Sequence, residues 1–195
     1  MGMPAHVEGG TGRRWSTQEV RSIPADGHRY EVVDGVLLVT PAPTYGHQAI
    51  VGALYRTLHA WVSAHQLGVV LFAPADVVVD SHTLLQPDLL VLPPVGRAVM
   101  EGETAAPLPM LVIEVLSPGT ARQDRLRKRP KLQDIGIECW LVDPVSELVE
   151  RWTPDAHRPE ICTDIVRWVP ATQPDLVLEV AVSPLWGAAE GTLAQ

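Results

Sequence analysis

Two acidic residues interrupt segments that are otherwise apolar. Glu114 is the one charged residue of Met110-Leu-Val-Ile-Glu-Val-Leu116, and Asp88 follows a proline at the start of the run Leu89-Leu-Val-Leu92. The first run is typical of a strand in a sheet covered on both faces, where an unpaired ionised carboxylate costs several kcal/mol. Glu114 therefore requires a metal ion, a basic partner or a raised pKa, and an ion pair with an arginine of the following helix is the purely structural alternative. Asp88, taken alone, could be an ordinary turn residue.

The two carboxylates together make a stronger prediction than either does alone. They lie on two predicted strands joined by a segment long enough to return the chain, so neighbouring strands would bring Asp88 and Glu114 to one place. Two like charges there repel each other unless a cation joins them. Mg²⁺ binds oxygen ligands and keeps several waters, so one or two carboxylates suffice. The sequence thus predicts a Mg²⁺ site at Asp88 and Glu114, with Mn²⁺ as a substitute.

Basic residues are concentrated in one short segment of an acidic chain. They are Arg122, Arg125, Arg127, Lys128, Arg129 and Lys131. A solvent-facing helix is the simplest explanation, but the segment could also contact phosphates or balance the two carboxylates. On a helix, Arg125 and Arg129 share one face while Lys128 and Lys131 lie on another. Lys128 can therefore point toward the sheet while the arginines remain in solvent.

The composition limits the class of protein. The chain has 195 residues, of which 46% are hydrophobic, which fits one folded domain with a sizeable core. A net charge of −8 argues against a protein that grips nucleic acid over its whole surface, because phosphate contacts need Lys and Arg. No apolar run approaches the ~20 residues of a membrane helix. Two cysteines, Cys139 and Cys162, make neither a metal cluster nor a disulfide framework, and we expect a cytoplasmic protein.

The hydrophobic pattern predicts a mixed α/β (α+β) domain with a central sheet flanked by helices. A Ser16–Glu19 capping box opens a short helix, and Asp34-Gly35 turns a hairpin. A long helix is predicted from Thr44 to about His65, with Gly68 as its stop signal. Another helix covers about 121–135, where Pro130 marks a kink or a start. Strands are predicted at 30–33, 36–40, 69–72, 76–79, 89–92, 110–116, 137–142, 148–152 and 162–168.

We expect a single domain over residues 15–185, a flexible segment at 1–14 and a C-terminal tail at 186–195. The stretch 93–109 is rich in Pro and Gly and is predicted to be a loop. Asp143-Pro144 ends an apolar strand and is predicted to be a turn.

Six short segments, in this order, resemble the Uma-two family of restriction endonucleases, within the PD-(D/E)-x-K nuclease superfamily. They are Tyr30-Glu-Val-Val-Asp-Gly-Val-Leu37, Pro41-Ala-Pro-Thr-Tyr-Gly-His47, Phe72-Ala-Pro-Ala-Asp-Val77, Gln86-Pro-Asp-Leu-Leu90, Val112-Ile-Glu-Val-Leu-Ser-Pro-Gly-Thr120 and Trp140-Leu-Val-Asp-Pro144. The resemblance spans roughly residues 28–183 and implies a restriction-endonuclease-like fold.

The resemblance also implies residue roles. Asp88 and Glu114 would hold Mg²⁺ on adjacent strands, and a lysine would help to activate the attacking water. The superfamily lysine usually lies two positions after the Glu, where this chain has Leu116. Lys128 matches a lysine moved onto the following helix, with Lys131 as its rival. The supporting residues would be Glu31 as an outer acidic ligand or as a residue that orients a water, His47 near the scissile phosphate, and Gln86 beside Asp88.

The function implied is metal-dependent hydrolysis of DNA phosphodiester bonds, with RNA as a second substrate to consider. A homodimer is expected, because cutting both strands of a duplex is simplest with two sites. The alternative is a catalytically silent module that binds nucleic acid, or serves a structural role, on the same fold. Two observations support this alternative: the net negative charge of the chain, and the absence of a lysine two positions after Glu114.

Overall fold

The computed structural model describes residues 6–7 and 12–189. The helices are α1 (Thr17–Arg21), α2 (Tyr45–Ala64), α3 (Arg97–Met100), α4 (Ala121–Gln123), α5 (Arg129–Asp134) and α6 (Ser183–Ala189), with a π-helical turn (Asp124–Lys128) between α4 and α5. The strands are β1 (His6–Val7), β2 (Arg29–Val33), β3 (Val36–Thr40), β4 (Val69–Phe72), β5 (Val77–Asp80), β6 (Thr83–Leu85), β7 (Leu89–Leu92), β8 (Leu111–Val115), β9 (Glu138–Asp143), β10 (Leu148–Trp152), β11 (Glu160–Cys162), β12 (Ile165–Trp168) and β13 (Leu178–Ala181).

A six-stranded sheet in the order β11-β10-β9-β8-β7-β4 forms the centre of the fold. Its β8–β9 pair is parallel and its other pairs are antiparallel. A five-stranded sheet, β1-β3-β2-β6-β5, and the β12–β13 pair accompany it. The predicted mixed α/β architecture with a central sheet flanked by helices is confirmed.

Apolar residues cover both faces of the central sheet, which explains why β8 reads as a continuous apolar run. On one face, Leu54 and Leu58 of α2 belong to the same core cluster as Ile113 and Trp140. On the other face, Val112 packs in a cluster with residues of α5 and of the five-stranded sheet. Successive strand residues point to opposite faces, so Glu114 shares the second face with Val112. The polar site is therefore built on the side that carries α5.

Several predicted elements agree with the structure and others need correction. The capping box forms at Ser16 and Glu19, and β7 and β10 have the predicted bounds. The predicted strand 162–168 is wrong, because the chain there divides into β11 and β12, which belong to different sheets. The predicted loop 93–109 contains α3, and neither β6 nor α6 was predicted.

The long helix ends within one residue of the predicted end at about His65. It ends at Ala64, and Gln66 adopts the left-handed conformation with φ of 55°. Gly68 has a different role, because a Cβ atom there would collide with the carbonyl oxygen of Leu92. The glycine thus permits a close approach of two backbone segments.

The ends of the chain lie partly beyond the described residues. Of the predicted segment 1–14, His6–Val7 pair with β3, and residues 1–5 and 8–11 lie outside the description. Of the predicted tail, residues 186–189 belong to α6 and residues 190–195 lie outside it. None of the described helices has the length and apolarity needed to cross a membrane.

Candidate active site

Asp88 and Glu114 lie opposite each other on neighbouring strands. In the antiparallel β7–β8 pair, Leu89 faces Ile113, so one further step of the same register places Asp88 opposite Glu114. Directly opposed side chains have Cβ atoms about 4.5–5.5 Å apart. Both carboxyls line a cavity of about 290 Å³. The predicted convergence of the two acids is found, and their role as metal ligands stays a prediction.

Asp88 is held by three donors. Its Oδ1 accepts a hydrogen bond of 2.8 Å from Arg29, and its Oδ2 lies 3.0 Å from Nε2 of His47 and 2.9 Å from the backbone N–H of Val115. Burial alone would raise the pKa of the Asp88 carboxyl, but His47, Arg29 and the Val115 N–H together hold it well below its usual value. Asp88 is therefore an ionised carboxylate fixed in one orientation.

Lys128 contacts three buried carboxylates, one of which is Glu114. Its Nζ is 2.7 Å from Oε2 of Glu31, 3.1 Å from Oδ1 of Asp124 and 3.3 Å from Oε1 of Glu114. Burial opposes the ammonium charge, yet these carboxylates raise the pKa of Lys128 well above its usual value. Among the described residues, Lys128 is not one of those that line the cavity. Lys128 therefore contacts Glu114 from the protein interior, while Glu114 itself lines the cavity.

The rival lysine lies elsewhere. Lys131 Nζ pairs with Asp34 at 2.7 Å and with Asp80 at 3.2 Å, at the turn of the β2–β3 hairpin and the end of β5. The structure thus brings Lys128, and not Lys131, to Glu114. A π-helical turn ends at Lys128 and changes the rotation of Lys128 relative to the preceding helix α4.

The supporting residues divide into two groups. Glu31 and His47 lie at the site, as predicted, in contact with Lys128 and Asp88 respectively. Gln86 contributes through its backbone, whose N–H donates 2.8 Å to Oε1 of Glu31. Its side chain donates to Asp76, and the supporting role of Gln86 beside Asp88 stays a prediction.

Two residues of the site were not predicted. Arg29 pairs with Asp88, and Asp124 pairs with Lys128. The sequence contains a signal for each. Arg29 and Glu31 alternate on one strand and so share a face, while Asp124 precedes Lys128 by four positions in a predicted helix.

The buried charges of the site do not balance. Four carboxyls, Glu31, Glu114, Asp124 and Asp88, face two cationic side chains, Arg29 and Lys128. Burial raises the pKa of Glu114 well above its usual value, and Lys128 opposes the rise while the neighbouring carboxylates add to it. Burial likewise raises the pKa of Asp124, again against the effect of Lys128.

A divalent cation would offset the excess of carboxyls over cationic side chains at this site. Within the described residues, no group of three or more His, Cys, Asp or Glu has the arrangement of a ready-made metal site. Mg²⁺ needs fewer protein ligands than that, because it retains several of its waters. Two opposed carboxylates at a cavity with surplus negative charge therefore fit Mg²⁺ or Mn²⁺, and do not fit a metal that demands a full set of protein ligands.

The surplus charge gives a testable pH dependence. Because the pKa of Glu114 is raised in the folded protein, the folded state binds this proton more tightly than the unfolded chain does. The metal-free wild type therefore loses stability as pH rises from about 4.5, the ordinary glutamate value, toward the raised pKa. Glu114→Gln lacks this loss, so its free energy of unfolding relative to wild type should increase with pH, by no more than about 1.4 kcal/mol per pH unit. Urea unfolding of both proteins in EDTA between pH 5 and 8 measures this difference in the free energy of unfolding. A difference that shrinks as pH rises would contradict the charge imbalance.

Comparisons with known proteins agree with this fold. Residues 17–181 match the model of the Uma2 family, whose description reads "Putative restriction endonuclease". The match covers most of the chain, and the chain belongs to this family. No curated protein matches the sequence.

A solved structure has the same architecture. It is a crystal structure, titled "putative nuclease", from Anabaena variabilis, with a TM-score of 0.71 and 18% sequence identity. The alignment covers 90% of this chain and 99% of that one. At this identity the likeness supports the fold. The protein is thus a member of a nuclease family with the nuclease-like fold predicted from its sequence.

Proposed function

We propose that the protein is a Mg²⁺-dependent endonuclease that hydrolyses DNA phosphodiester bonds at the Asp88–Glu114 cavity. One observation carries the proposal: two opposed carboxyls line one cavity, and the buried carboxyls of the site outnumber its cationic side chains. Family membership supports a nuclease. The chemistry of the donor set supports a hard divalent cation.

Asp88 and Glu114 would hold the cation, with Mn²⁺ able to replace Mg²⁺. When bound, it would lower the pKa of a water and offset the negative charge that develops on the phosphate. Arg29, His47 and the Val115 N–H keep Asp88 ionised and oriented. Lys128 fixes the Glu114 carboxyl from behind, so from this position it would act through Glu114.

The cavity itself favours a reaction shielded from bulk water. Much of its lining is apolar and comes from Pro41, Ala42, Pro43, Val115 and Pro118. His47 lines the same cavity, which supports its predicted contact with the scissile phosphate. In such an environment charged groups interact more strongly than they do in water.

A cleavage assay tests the proposal. Purified protein should cut fluorescently labelled DNA in the presence of Mg²⁺ or Mn²⁺, and EDTA should abolish cutting, because the two carboxylates alone would repel the phosphate. Chelation followed by added Mg²⁺ should restore it. Cutting that persists in EDTA would contradict the metal-dependent mechanism. Binding of DNA without cutting under any metal condition would favour the catalytically silent module.

A further inference from the structure

Arg29 supplies the permanent positive charge at the cavity. Among the described residues that line the cavity, it is the only arginine or lysine, whereas Lys128 contacts Glu114 from the protein interior. A guanidinium stays protonated at any pH at which proteins fold. Phosphates are bound in proteins largely by arginine, lysine and backbone N–H groups. A phosphodiester that enters this cavity therefore meets one fixed cation of the chain, Arg29.

The guanidinium of Arg29 uses only one of its three nitrogens. Nη1 donates 2.8 Å to Oδ1 of Asp88 and 3.4 Å to the carbonyl oxygen of Gln86. Nε is buried without a hydrogen-bond partner. Nη2 also has no partner among the described residues, but it is not one of the enclosed atoms, so solvent can reach it. Buried donors in proteins are normally paired, so this unused edge calls for a ligand.

Arg151 shows what the same edge of a guanidinium binds in this protein. Its Nε and Nη2 donate to the two oxygens of Glu138, at 2.7 and 3.2 Å. The two arginine side chains are equally buried, with 17% of Arg151 and 18% of Arg29 exposed. The Nε–Nη2 pair binds carboxylate and phosphate oxygens in the same bidentate manner. In Arg29 this pair carries no anionic group of the protein, so it is open to an anion from outside.

Arg29 also lies where the cavity meets a second depression. The second depression has a volume of about 590 Å³, and Arg29 and Pro43 line both spaces. Part of its wall is apolar and comes from Val20, Ile23 and Pro24. A phosphodiester always links two nucleotides. A phosphate held at Arg29 would therefore have room beside it for a neighbouring nucleotide.

We propose that Arg29 binds the scissile phosphodiester through the Nε–Nη2 edge of its guanidinium while Nη1 holds Asp88, and that a neighbouring nucleotide occupies the second depression. This rests on the proposed nuclease function and adds a substrate-binding residue to it. Because one planar group contacts both Asp88 and the phosphate, it sets the distance between them. A fixed cation at this position also stabilises the negative charge that develops on the phosphate during hydrolysis.

The test must separate phosphate binding from the contact of Arg29 with Asp88. We would measure the Kd of a labelled DNA strand of about 15 nucleotides by fluorescence anisotropy, with Glu114→Gln as the parent protein and EDTA in the buffer. No cation is then available to Asp88, so a change in Kd cannot arise through metal binding. The parent protein also cannot cut the probe by the proposed mechanism.

Arg29→Gln in this parent should raise the Kd roughly 10- to 100-fold, the range for loss of a hydrogen bond to a charged group. It should also reduce the slope of log Kd against log salt by about 0.7, the value for one phosphate of a single strand. Arg29→Lys keeps the charge and can still pair with Asp88. It should therefore retain the slope, but raise the Kd roughly 2- to 10-fold, because an ammonium lacks the second edge.

Arg151→Gln is the matched control. It removes an equally buried arginine from an ion pair with a carboxylate, and Arg151 lines neither the cavity nor the second depression. Its Kd and slope should equal those of the parent protein.

An unchanged Kd and slope for Arg29→Gln, an Arg29→Lys variant that binds as tightly as the parent, or a parent that does not bind the strand would each overturn the proposal. The readout is binding, so a wild type that fails to cut DNA while Arg29→Gln loses affinity refutes the proposed function alone. A wild type that cuts DNA while Arg29→Gln binds normally refutes the role of Arg29 alone.

Discussion

Lys128→Met is expected to lower the free energy of unfolding of the metal-free protein by about 3–5 kcal/mol at pH 7, the usual cost of leaving buried charges without their partner. Among the described residues, Lys128 is the one cation that forms ion pairs with Glu31, Asp124 and Glu114. Without it, these carboxyls must take up protons or remain unpaired. Urea unfolding followed by fluorescence of the six tryptophans measures the loss.

The pH dependence separates this cause from simple loss of packing. The deficit should shrink as pH falls, since Glu114 and Asp124 have raised pKa values and accept protons first. Lys131→Met is the matched control. Its partners Asp34 and Asp80 have side chains 62% and 46% exposed, so the change should cost less than about 1 kcal/mol. Equal losses for the two lysines would show that the three-carboxylate cluster does not depend on Lys128.

Asp88→Asn is expected to reduce the rate of DNA cleavage at least about 1000-fold, because losing an anionic ligand removes several kcal/mol of transition-state stabilisation. Asparagine is nearly isosteric with aspartate and keeps one oxygen to accept the Val115 N–H. Its amide group cannot accept from both Arg29 and His47, so some loss of stability accompanies the loss of rate. Single-turnover cleavage at saturating Mg²⁺ measures the chemical step.

Asp76→Asn provides the control for that substitution. Asp76 lies in the next depression and pairs with Arg21 and Gln86, so it repeats the chemical change without touching the cavity that Asp88 lines. Its rate should stay within about twofold of wild type, since a surface ion pair contributes little. Cleavage by Asp88→Asn at the wild-type rate would remove Asp88 from the mechanism.

Much of the site could be anticipated because charged residues occur in segments that are otherwise apolar. A carboxylate in an apolar strand must be compensated, and this identified Glu114 before any geometry was known. The pairing with Asp88 depended on the two strands being neighbours, and the segment 93–109 does return the chain to an antiparallel partner. The roles of these residues came from the family resemblance.

Other features depend on tertiary geometry that a sequence pattern does not encode. A π-helical turn cannot be read from hydrophobic period, yet it decides how Asp124 and Lys128 lie relative to the sheet. β6 has three residues, too few to establish an alternation. Arg29 was overlooked because an arginine at the start of a strand is ordinary until its partner, 59 positions away, is known.

The most direct test is the position of a metal in a crystal soaked with Mn²⁺. Anomalous diffraction should show a peak within bonding distance of both the Asp88 and Glu114 carboxylates, and no such peak in crystals of Asp88→Asn. A crystal in which Mn²⁺ is bound elsewhere, or in which Arg29 and Lys128 neutralise the two acids and no ion enters between them, would contradict the account.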